Sequence, residues 1–256
     1  MKKKFGQNFL NDLNVVNKIV EVSEVNNNSN IYEVGPGKGI LTNEIIKKNP
    51  NKYIAVEIDN SLKNNLEKIF LNTKYKIFFC DALNFDETLH FDKNTTIISN
   101  LPYNISLTLL IKWIYQLLTK PWISQMTLMF QKEVAERIIA KENTKKFGRI
   151  TLLVSAFFDV SKILEVDKTK FFPSPKVNSA VLNFKILKKS HFNKNNINKL
   201  EFLSKTLFAN RRKKLKAKIQ KIFTPEIIKK NNLSDYYDLR VENLNIKTFF
   251  NMAKLL

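Results

Sequence analysis

The sequence predicts an α/β fold in which helices flank a mostly parallel sheet, with a small all-α domain at the C-terminal end. Short β-branched runs alternate with amphipathic helical segments over roughly the first 190 residues. Beyond them the strand pattern stops, and an apolar helical stripe surrounded by Lys and Arg follows. We therefore predict a sheet domain over residues 1–187 and a basic helical domain over residues 188–256.

The first predicted strand, Ile31–Val34, runs into a glycine-rich loop before a helix. The loop reads Gly35-Pro36-Gly37-Lys38-Gly39. Glycine at such a strand-to-helix junction allows a tight turn and lets a ligand approach the backbone closely. Glycine loops also serve plain turns, so this motif alone leaves both interpretations open.

Acidic residues follow the second and third predicted strands. Glu57 ends the strand that begins near Tyr53, about 20 residues after the glycine loop, which is the position suited to a ribose diol. A surface glutamate at a strand end is the plainer alternative. Asp81 follows the strand that begins at Tyr75 and could accept a hydrogen bond from a ring amine.

The fourth predicted strand begins at Thr95 and ends at Asn100, before a Pro-Tyr turn. Pro102 fixes its own φ and pushes Leu101 into an extended conformation. The Asn100 amide and the Leu101 carbonyl can then project into one cleft beside the Tyr103 ring, an arrangement that suits a planar ring with an exocyclic amine. An ordinary strand-to-helix loop also favours Asn and Pro. Since the carboxyl ends of parallel strands meet at one edge, the four strand ends predict a single ligand-binding rim.

The remaining elements complete the α/β pattern. We predict helices after Asp12, over residues 61–71 and 105–119, around Val134 and from Phe147 to about residue 157, and strands over residues 126–130, 160–166 and 179–186. In the last quarter, one continuous helical stripe runs from Leu200 to Ile222, and further helices begin near Pro225 and Leu244.

Composition excludes several classes of protein. Hydrophobic residues make up 44% of the 256 residues, yet no apolar run of transmembrane length occurs. The basic start at Lys2 is soon interrupted by polar residues, so we predict no signal peptide. A single cysteine, Cys80, excludes an internal disulfide and fits a reducing cytosol, so we expect a cytoplasmic protein with no membrane association. With only His90 and His191 beside it, no nitrogen and sulfur metal site is predicted.

The net charge of +20 indicates a polyanionic partner or an anionic membrane. Residues 185–256 carry 18 Lys or Arg against 5 Asp or Glu, whereas residues 1–184 carry 25 against 18. A lysine-rich coding bias does not predict this concentration. The predicted contact residues lie on the last-quarter helix: Arg211, Arg212, Lys213, Lys214, Lys216 and Lys218. A solvated charged face is the alternative.

These motifs together resemble the ribosomal RNA adenine dimethyltransferase family over nearly the whole chain. The matching segments are Phe5–Leu10, Glu33–Gly39, Val56–Asp59, Asp81–Ala82, Ser99–Ser106, Phe147–Arg149, Phe171–Val177 and Arg211–Lys213. The Asn-Leu-Pro-Tyr core is specific, because many amino-methylating DNA enzymes carry Asn-Pro-Pro-Tyr or Asp-Pro-Pro-Tyr instead. The Arg-Arg-Lys segment is closer to the small-subunit branch than to the macrolide-resistance Erm branch. Asn8 and Lys214 depart from the family, where many members carry His and Thr.

The resemblance implies a class I, Rossmann-like methyltransferase fold with S-adenosylmethionine as cofactor. The cofactor-binding residues it implies are Asn8, Leu10, Gly35, Gly37, Glu57, Asp81, Ala82 and Asn100. The catalytic residues it implies are Asn100, Leu101, Pro102, Tyr103 and Phe171, with Tyr103 and Phe171 on either side of an extruded base.

The implied substrate is small-subunit ribosomal RNA, bound by a monomer within a pre-ribosomal particle. Two adjacent adenosines near the 3′ end would each receive two methyl groups on N6. Three alternatives stay open: Erm-like methylation of large-subunit rRNA, methylation of DNA or a small molecule on the same fold, and a non-catalytic ribosome assembly factor. The Asn-Leu-Pro-Tyr core and the basic C-terminal segment speak against DNA, and the intact acceptor at Asn100 speaks against loss of catalysis.

Overall fold

The computed structural model describes residues 7–256. The basic start at Lys2 and the first two residues of the Phe5–Leu10 motif therefore lie outside the described residues. The contacts of the chain divide it into two compact units. The first unit holds the chain up to Ala135 together with Asp159–Ile186, and the second holds Glu136–Phe158 and Leu187–Leu256. Residues 136–158, assigned to the sheet domain above, thus group by contacts with the C-terminal helices, and the predicted domain boundary stays a prediction.

Nine strands and ten α-helices make up the described chain. The strands are β1 (Phe9–Leu10), β2 (Asn30–Val34), β3 (Lys52–Glu57), β4 (Lys76–Phe79), β5 (Thr95–Asn100), β6 (Ile123–Gln131), β7 (Phe158–Val166), β8 (Phe171–Phe172) and β9 (Ser179–Ile186). The helices are α1 (Leu13–Val22), α2 (Ile40–Ile46), α3 (Lys63–Phe70), α4 (Ser106–Leu117), α5 (Lys132–Ile138), α6 (Arg149–Ser155), α7 (Ile197–Phe208), α8 (Lys216–Ile222), α9 (Pro225–Lys230) and α10 (Ile246–Lys254).

A seven-stranded sheet with the order β4-β3-β2-β5-β6-β9-β7 forms the centre of the first unit. The pairs from β4 through β6 are parallel, and β9 runs antiparallel to β6. The predicted mostly parallel α/β fold is confirmed. The strand order reverses at β2, because β3 and β4 lie on one side of it and β5 lies on the other. Ligands of such sheets bind beyond the carboxyl ends of the strands at that reversal.

The central strands are apolar because both of their faces are covered. Ile31 and Tyr32 on β2 have essentially no exposed surface. On one side, the Tyr32 ring stacks at 5.9 Å on Phe85 and meets the edge of Trp113 at 6.2 Å. On the other, Ile31 belongs to a core cluster with α1 and α2. Burial on both faces explains the β-branched runs, which are typical of parallel strands.

A second sheet of two short strands fastens the N-terminal segment to a distant part of the chain. Phe9 and Leu10 of β1 pair antiparallel with Phe172 and Phe171 of β8. The Asn11 amide continues this ladder by donating to the Lys170 carbonyl at 2.8 Å. The segment before α1 is thereby held at the edge of the first unit.

The second unit corrects the prediction of one continuous basic helix. Helix α7 ends at Phe208 and α8 begins at Lys216. Between them Ala209 is extended and Asn210 has a left-handed φ of 53°, which asparagine tolerates better than most residues. Arg211–Lys214 therefore lie in a turn, and Lys216 and Lys218 alone among the six predicted basic residues lie on a helix.

Two further findings concern residues 7–256 as a whole. No helix in this range is long and apolar enough to cross a membrane. No group of three His, Cys, Asp or Glu side chains in the same range is placed to hold a metal ion. The Cys80 thiol is free and partly buried, and burial raises its pKa, which does not favour the reactive thiolate.

Candidate functional site

One cavity at the carboxyl ends of β2, β3 and β5 collects most of the predicted site residues. Its lining includes Asn8, Leu10, Gly35, Gly37, Glu57, Asn100, Leu101, Pro102 and Tyr103. These residues come from the N-terminal segment and three strand ends, brought together by the parallel order of the sheet. Three of the four predicted strand ends, those at Gly35, Glu57 and Asn100, therefore meet at one cavity.

The glycine loop requires glycine at each of its three positions. Gly35, Gly37 and Gly39 have φ values of 67°, 59° and 84°, a region that side chains with a Cβ rarely occupy. A Cβ on Gly37 would also lie 2.8 Å from the Phe9 ring. The Phe9 ring of β1 can therefore lie directly on the backbone of the glycine loop at the edge of the cavity.

Glu57 is held rigidly at the end of β3. Its side chain is buried, and its Oε1 accepts hydrogen bonds from the Ile58 and Asp59 amides, both at 2.9 Å. Its Oε2 accepts from the Gly37 amide at 3.1 Å. Burial raises the pKa of this carboxyl, and the three amide donors oppose that shift. Since a carboxylate has about four acceptor positions, a donor from a ligand can still be accommodated.

Glu33 lines the same cavity, although the sequence analysis assigned it no role. It is 1% exposed, and its Oε2 accepts from the Thr42 hydroxyl at 2.8 Å and from the Tyr53 hydroxyl. Burial raises its pKa to about 7. No Lys or Arg among residues 7–256 forms an ion pair with it. A buried carboxyl without a cationic partner favours a ligand that brings positive charge. Its place at the start of the Glu33–Gly39 motif was the one available signal.

Asn100 is oriented by the segment that precedes α1. Its Nδ2 donates to the Asn8 carbonyl at 3.0 Å, which leaves Oδ1 as the acceptor of this amide. The neighbouring Ser99 hydroxyl donates to the Val34 carbonyl at 2.5 Å and so ties β5 to the start of the glycine loop. The acceptor at the strand end is fixed from both sides before any ligand arrives.

The two predicted stacking rings differ in their surroundings. The Tyr103 ring is partly buried at the cavity, and its hydroxyl lies 2.5 Å from Ser179 Oγ. Burial raises the pKa of that hydroxyl, so it is neutral at physiological pH. Phe171 is 4% exposed and belongs to the core cluster that includes Leu10, so its ring packs in the core, and its stacking role stays a prediction. Its neighbour Phe172 is 67% exposed.

Asp81 and Ala82 do not line the cavity, although they follow β4, which is the strand beside β3 in the sheet. The Cys80 amide donates to the Glu57 carbonyl at 2.9 Å, and Asp81 lies two residues beyond the end of β4. Lys112 holds the segment after Asp81, because its ammonium donates to the Ala82 carbonyl at 2.9 Å and pairs with the fully buried Glu87. The cofactor role of Asp81 and Ala82 stays a prediction.

A polar cleft in the second unit gathers two of the six predicted basic residues, Arg212 and Lys214. It is lined by Asn143, Thr144, Lys145, Arg212, Lys214, Asp238, Arg240, Glu242 and Asn243. Arg212 and Lys213 are exposed at this turn, Lys216 is exposed on α8, and Lys214 is paired at 2.7 Å with Asp238. The cleft carries more positive than negative side chains.

Two of the six predicted contact residues support the turn instead of facing outward. Arg211 donates to the Lys145 carbonyl at 2.9 Å, and its Nε lies 3.5 Å from Glu242. Lys218 donates to the Leu207 carbonyl at 2.6 Å near the end of α7, and burial lowers its pKa. Cations at helix C-termini satisfy the last carbonyls in this way. The structure gives both side chains a structural role, and their role in RNA contact stays a prediction.

Comparisons with known proteins find relatives over nearly the whole length of this chain. The family model described as ribosomal RNA adenine dimethylase matches residues 1–256. A protein of Mycoplasmopsis pulmonis named ribosomal RNA small subunit methyltransferase A is 42% identical over 249 residues, which is 96% of this chain and 94% of the relative. A protein of the same name from Pelagibacter ubique is 38% identical over 255 residues, 99% of this chain and 95% of the relative.

Two solved structures are similar in fold. A dimethyladenosine transferase from Plasmodium falciparum superposes with a TM-score of 0.82 at 24% identity, and each chain is covered to 95%. The 23S rRNA methyltransferase ErmE superposes with a TM-score of 0.73 at 20% identity, covering 96% of this chain and all of the other. At these identities the likeness concerns the fold.

Proposed function

Because this chain belongs to the ribosomal RNA adenine dimethylase family, we propose that it dimethylates N6 of two adjacent adenosines near the 3′ end of small-subunit rRNA. The names of the relatives at 42% and 38% identity support the small-subunit branch. The observation that carries the proposal is that Asn100, at the end of β5, shares one cavity with Glu57 and the glycine loop.

The residues of this cavity fit S-adenosylmethionine, the cofactor of the family. The Glu57 carboxylate suits the two ribose hydroxyls, since it is fixed and retains acceptor capacity. The buried Glu33 carboxyl suits a ligand with a cationic sulfur and an ammonium group. Asn8 and Leu10 line the cavity from the N-terminal side. When bound, the cofactor supplies a methyl group activated by the positive charge on sulfur.

The chain contributes position and preset dipoles to the reaction. Adenine N6 is a poor nucleophile, because its lone pair is delocalised into the ring. Hydrogen bonds from the amine to Asn100 Oδ1 and to the Leu101 carbonyl favour a pyramidal nitrogen whose lone pair points at the methyl carbon. These acceptors also stabilise the positive charge that develops on nitrogen. The methylated nitrogen then loses its proton to water, so no strong base is required, and positioning supplies much of the rate.

Tyr103 supports the base from one side. Its ring lies at the cavity, and the contact of its hydroxyl with Ser179 holds the ring plane in place. Adenine can stack on that ring once the nucleotide is extruded from its helix, as enzymes acting on bases commonly require. Phe171 is not needed for this support.

The basic turn and cleft of the second unit serve to hold the RNA. Exposed Arg212, Lys213 and Lys216 present charge to phosphates, and the cleft beside them adds Lys145 and Arg240. We further propose that the chain acts as a monomer on a pre-ribosomal particle. This places the reaction in the cytoplasm.

Mass spectrometry of rRNA from cells that lack this chain tests the proposal. We expect N6,N6-dimethyladenosine at two adjacent positions near the 3′ end of small-subunit rRNA to disappear. The wild-type chain should restore it, and the Asn100→Ala chain should not. Loss of methylation from large-subunit rRNA instead would assign an Erm-like reaction. Unchanged methylation with defective subunits would assign a non-catalytic assembly role.

A further inference from the structure

Phe172 is a large apolar side chain exposed beside the candidate site. Its ring is 67% exposed, whereas the adjacent Phe171 is 4% exposed. The two rings point to opposite sides because successive side chains of a strand alternate. Strand pairing fixes this orientation, since Phe172 pairs with Phe9 and Phe171 with Leu10. The exposure of Phe172 is therefore imposed by the register of β1 and β8.

Lys38 of the glycine loop lies close to this ring. Its ammonium is 5.7 Å from the centroid of the Phe172 ring and 5.4 Å from that of Phe9. Both distances are within the range of a cation–π contact. Lys38 is exposed, and its ammonium forms no ion pair with any residue between 7 and 256. A cation is thus held at an aromatic surface with its charge available to a partner.

This pair lies at the rim of the cavity that contains Asn100. Lys38 and Phe9 both line the cavity. Phe172 adjoins Lys38 through the cation–π contact and adjoins Phe9 through strand pairing. An aromatic ring beside a fixed cation is the combination by which proteins bind single-stranded nucleic acid: bases stack on the ring and phosphates lie at the charge.

We propose that Phe172 and Lys38 form a second nucleotide subsite, which binds the nucleotide adjoining the target adenosine in the RNA strand. Its base stacks on the Phe172 ring, and its phosphate lies against the Lys38 ammonium. The inference rests on the proposed function, because it presumes that a single-stranded RNA segment reaches the cavity. This second subsite adds an RNA contact outside the methyl-transfer site, and it holds the flanking nucleotide in a fixed position during each methyl transfer.

An exposed phenylalanine elsewhere in the chain offers a matched control. Phe202 on α7 is 54% exposed, and no cation–π contact to its ring occurs among residues 7–256. If exposure alone determined the behaviour of Phe172, both positions would respond alike to substitution. If the subsite exists, removal of the Phe172 ring weakens RNA binding and removal of the Phe202 ring does not.

The test uses the full chain and a small-subunit rRNA fragment that contains the target adenosines. Phe172→Ala should raise KM for this RNA about 5- to 150-fold, the equivalent of ~1–3 kcal/mol of base stacking. kcat and S-adenosylmethionine affinity should stay unchanged. Phe172→Tyr should retain wild-type KM, because a tyrosine ring also stacks. Lys38→Met should reduce the salt slope of RNA binding by about 0.7–0.9, the share of one phosphate contact.

A second measurement separates the subsite from the proposed function. An RNA with fluorescent 2-aminopurine at the flanking nucleotide should be quenched by stacking on the wild-type chain and on Phe202→Ala, but not on Phe172→Ala. This reading does not depend on methylation, so an inactive wild-type chain would disprove the proposed function while still testing the subsite. Equal KM and equal quenching for Phe172→Ala and Phe202→Ala would overturn the inference.

Discussion

The cavity of the first unit and the basic turn of the second unit present their functional groups in opposite ways. Glu57 and Glu33 are buried and held by amides or hydroxyls. Arg212 and Lys213 are exposed, on a turn between two helices. Methyl transfer depends on groups that do not move, because preset dipoles must face a single atom. Attraction of a polyanion depends on charge density and tolerates a change in the position of any one side chain.

The largest expected effect tests the fixed acceptor of the cavity. Asn100→Ala should lower the rate of methyl transfer by roughly 10² or more, as loss of a preorganised polar group can. Single-turnover assays at saturating RNA and cofactor measure this step. Asn64→Ala, on the exposed side of α3, makes the same chemical change away from the cavity and should retain the wild-type rate. A near wild-type rate in Asn100→Ala would remove this side chain from the mechanism.

The next effect tests whether the cavity binds the cofactor through Glu57. Glu57→Ala should weaken S-adenosylmethionine binding by ~1–3 kcal/mol, because charge-assisted hydrogen bonds to the ribose are lost. Titration calorimetry gives this value directly. The control is Glu67→Ala on α3, whose exposed carboxylate lies 3.7 Å from Lys63. Equal affinity in a folded Glu57→Ala chain would contradict the ribose assignment.

A third prediction tests whether the basic turn is the surface that attracts the RNA. Replacing Arg212, Lys213 and Lys214 with Glu should flatten the salt slope of RNA binding by about two units or more. Cofactor affinity should not change. The same replacement at Lys221, Lys229 and Lys230, which are exposed elsewhere in this unit, should change the slope less. An unchanged slope with full rRNA methylation would make the turn an ordinary solvated surface.

The smallest effect concerns the pH dependence of the cavity. Burial raises the pKa of Glu33 to about 7, so this carboxyl becomes protonated as the pH falls through that value. A cationic ligand favours the ionised form. S-adenosylmethionine affinity should therefore drop by up to about tenfold between pH 8 and pH 6, since one proton must then be released on binding. Calorimetry in two buffers measures this proton release. The affinity of Glu33→Gln for S-adenosylmethionine should not change over the same pH range.

Three site residues could be recognised from the sequence because each one follows or ends a predicted strand. Gly35, Glu57 and Asn100 each occur where an apolar run stops, and parallel strands bring such ends together. Glu33 lies inside a strand, and local sequence reveals neither the burial that raises its pKa nor the hydrogen bonds from Tyr53 and Thr42 that oppose this shift.

Two cases show where local patterns are insufficient. The family motif gave Phe171 a stacking role and singled out no role for Phe172, whereas the register with β1, far away along the chain, decides that Phe172 is the exposed ring of the two. The apolar stripe of the last quarter predicted a continuous helix, whereas the left-handed Asn210 interrupts it between α7 and α8. A helical period on both sides of a turn does not show the turn itself, and Arg211 and Lys218 are consequently used to support it.

The pairing of β1 with β8 has a consequence for the order in which the chain matures during synthesis. The strand ends of β2, β3 and β5 are all complete by Asn100. The partners of Phe9 and Leu10 lie more than 160 residues further along the chain, and contacts of such separation carry a large loop-closure cost and form late. A nascent chain that has not yet reached Phe171 therefore has the rim but lacks the strand that fastens Asn8 and its neighbours over it. If Asn8 and Leu10 contact the cofactor as proposed, we expect tight cofactor binding only in chains whose synthesis has passed β8.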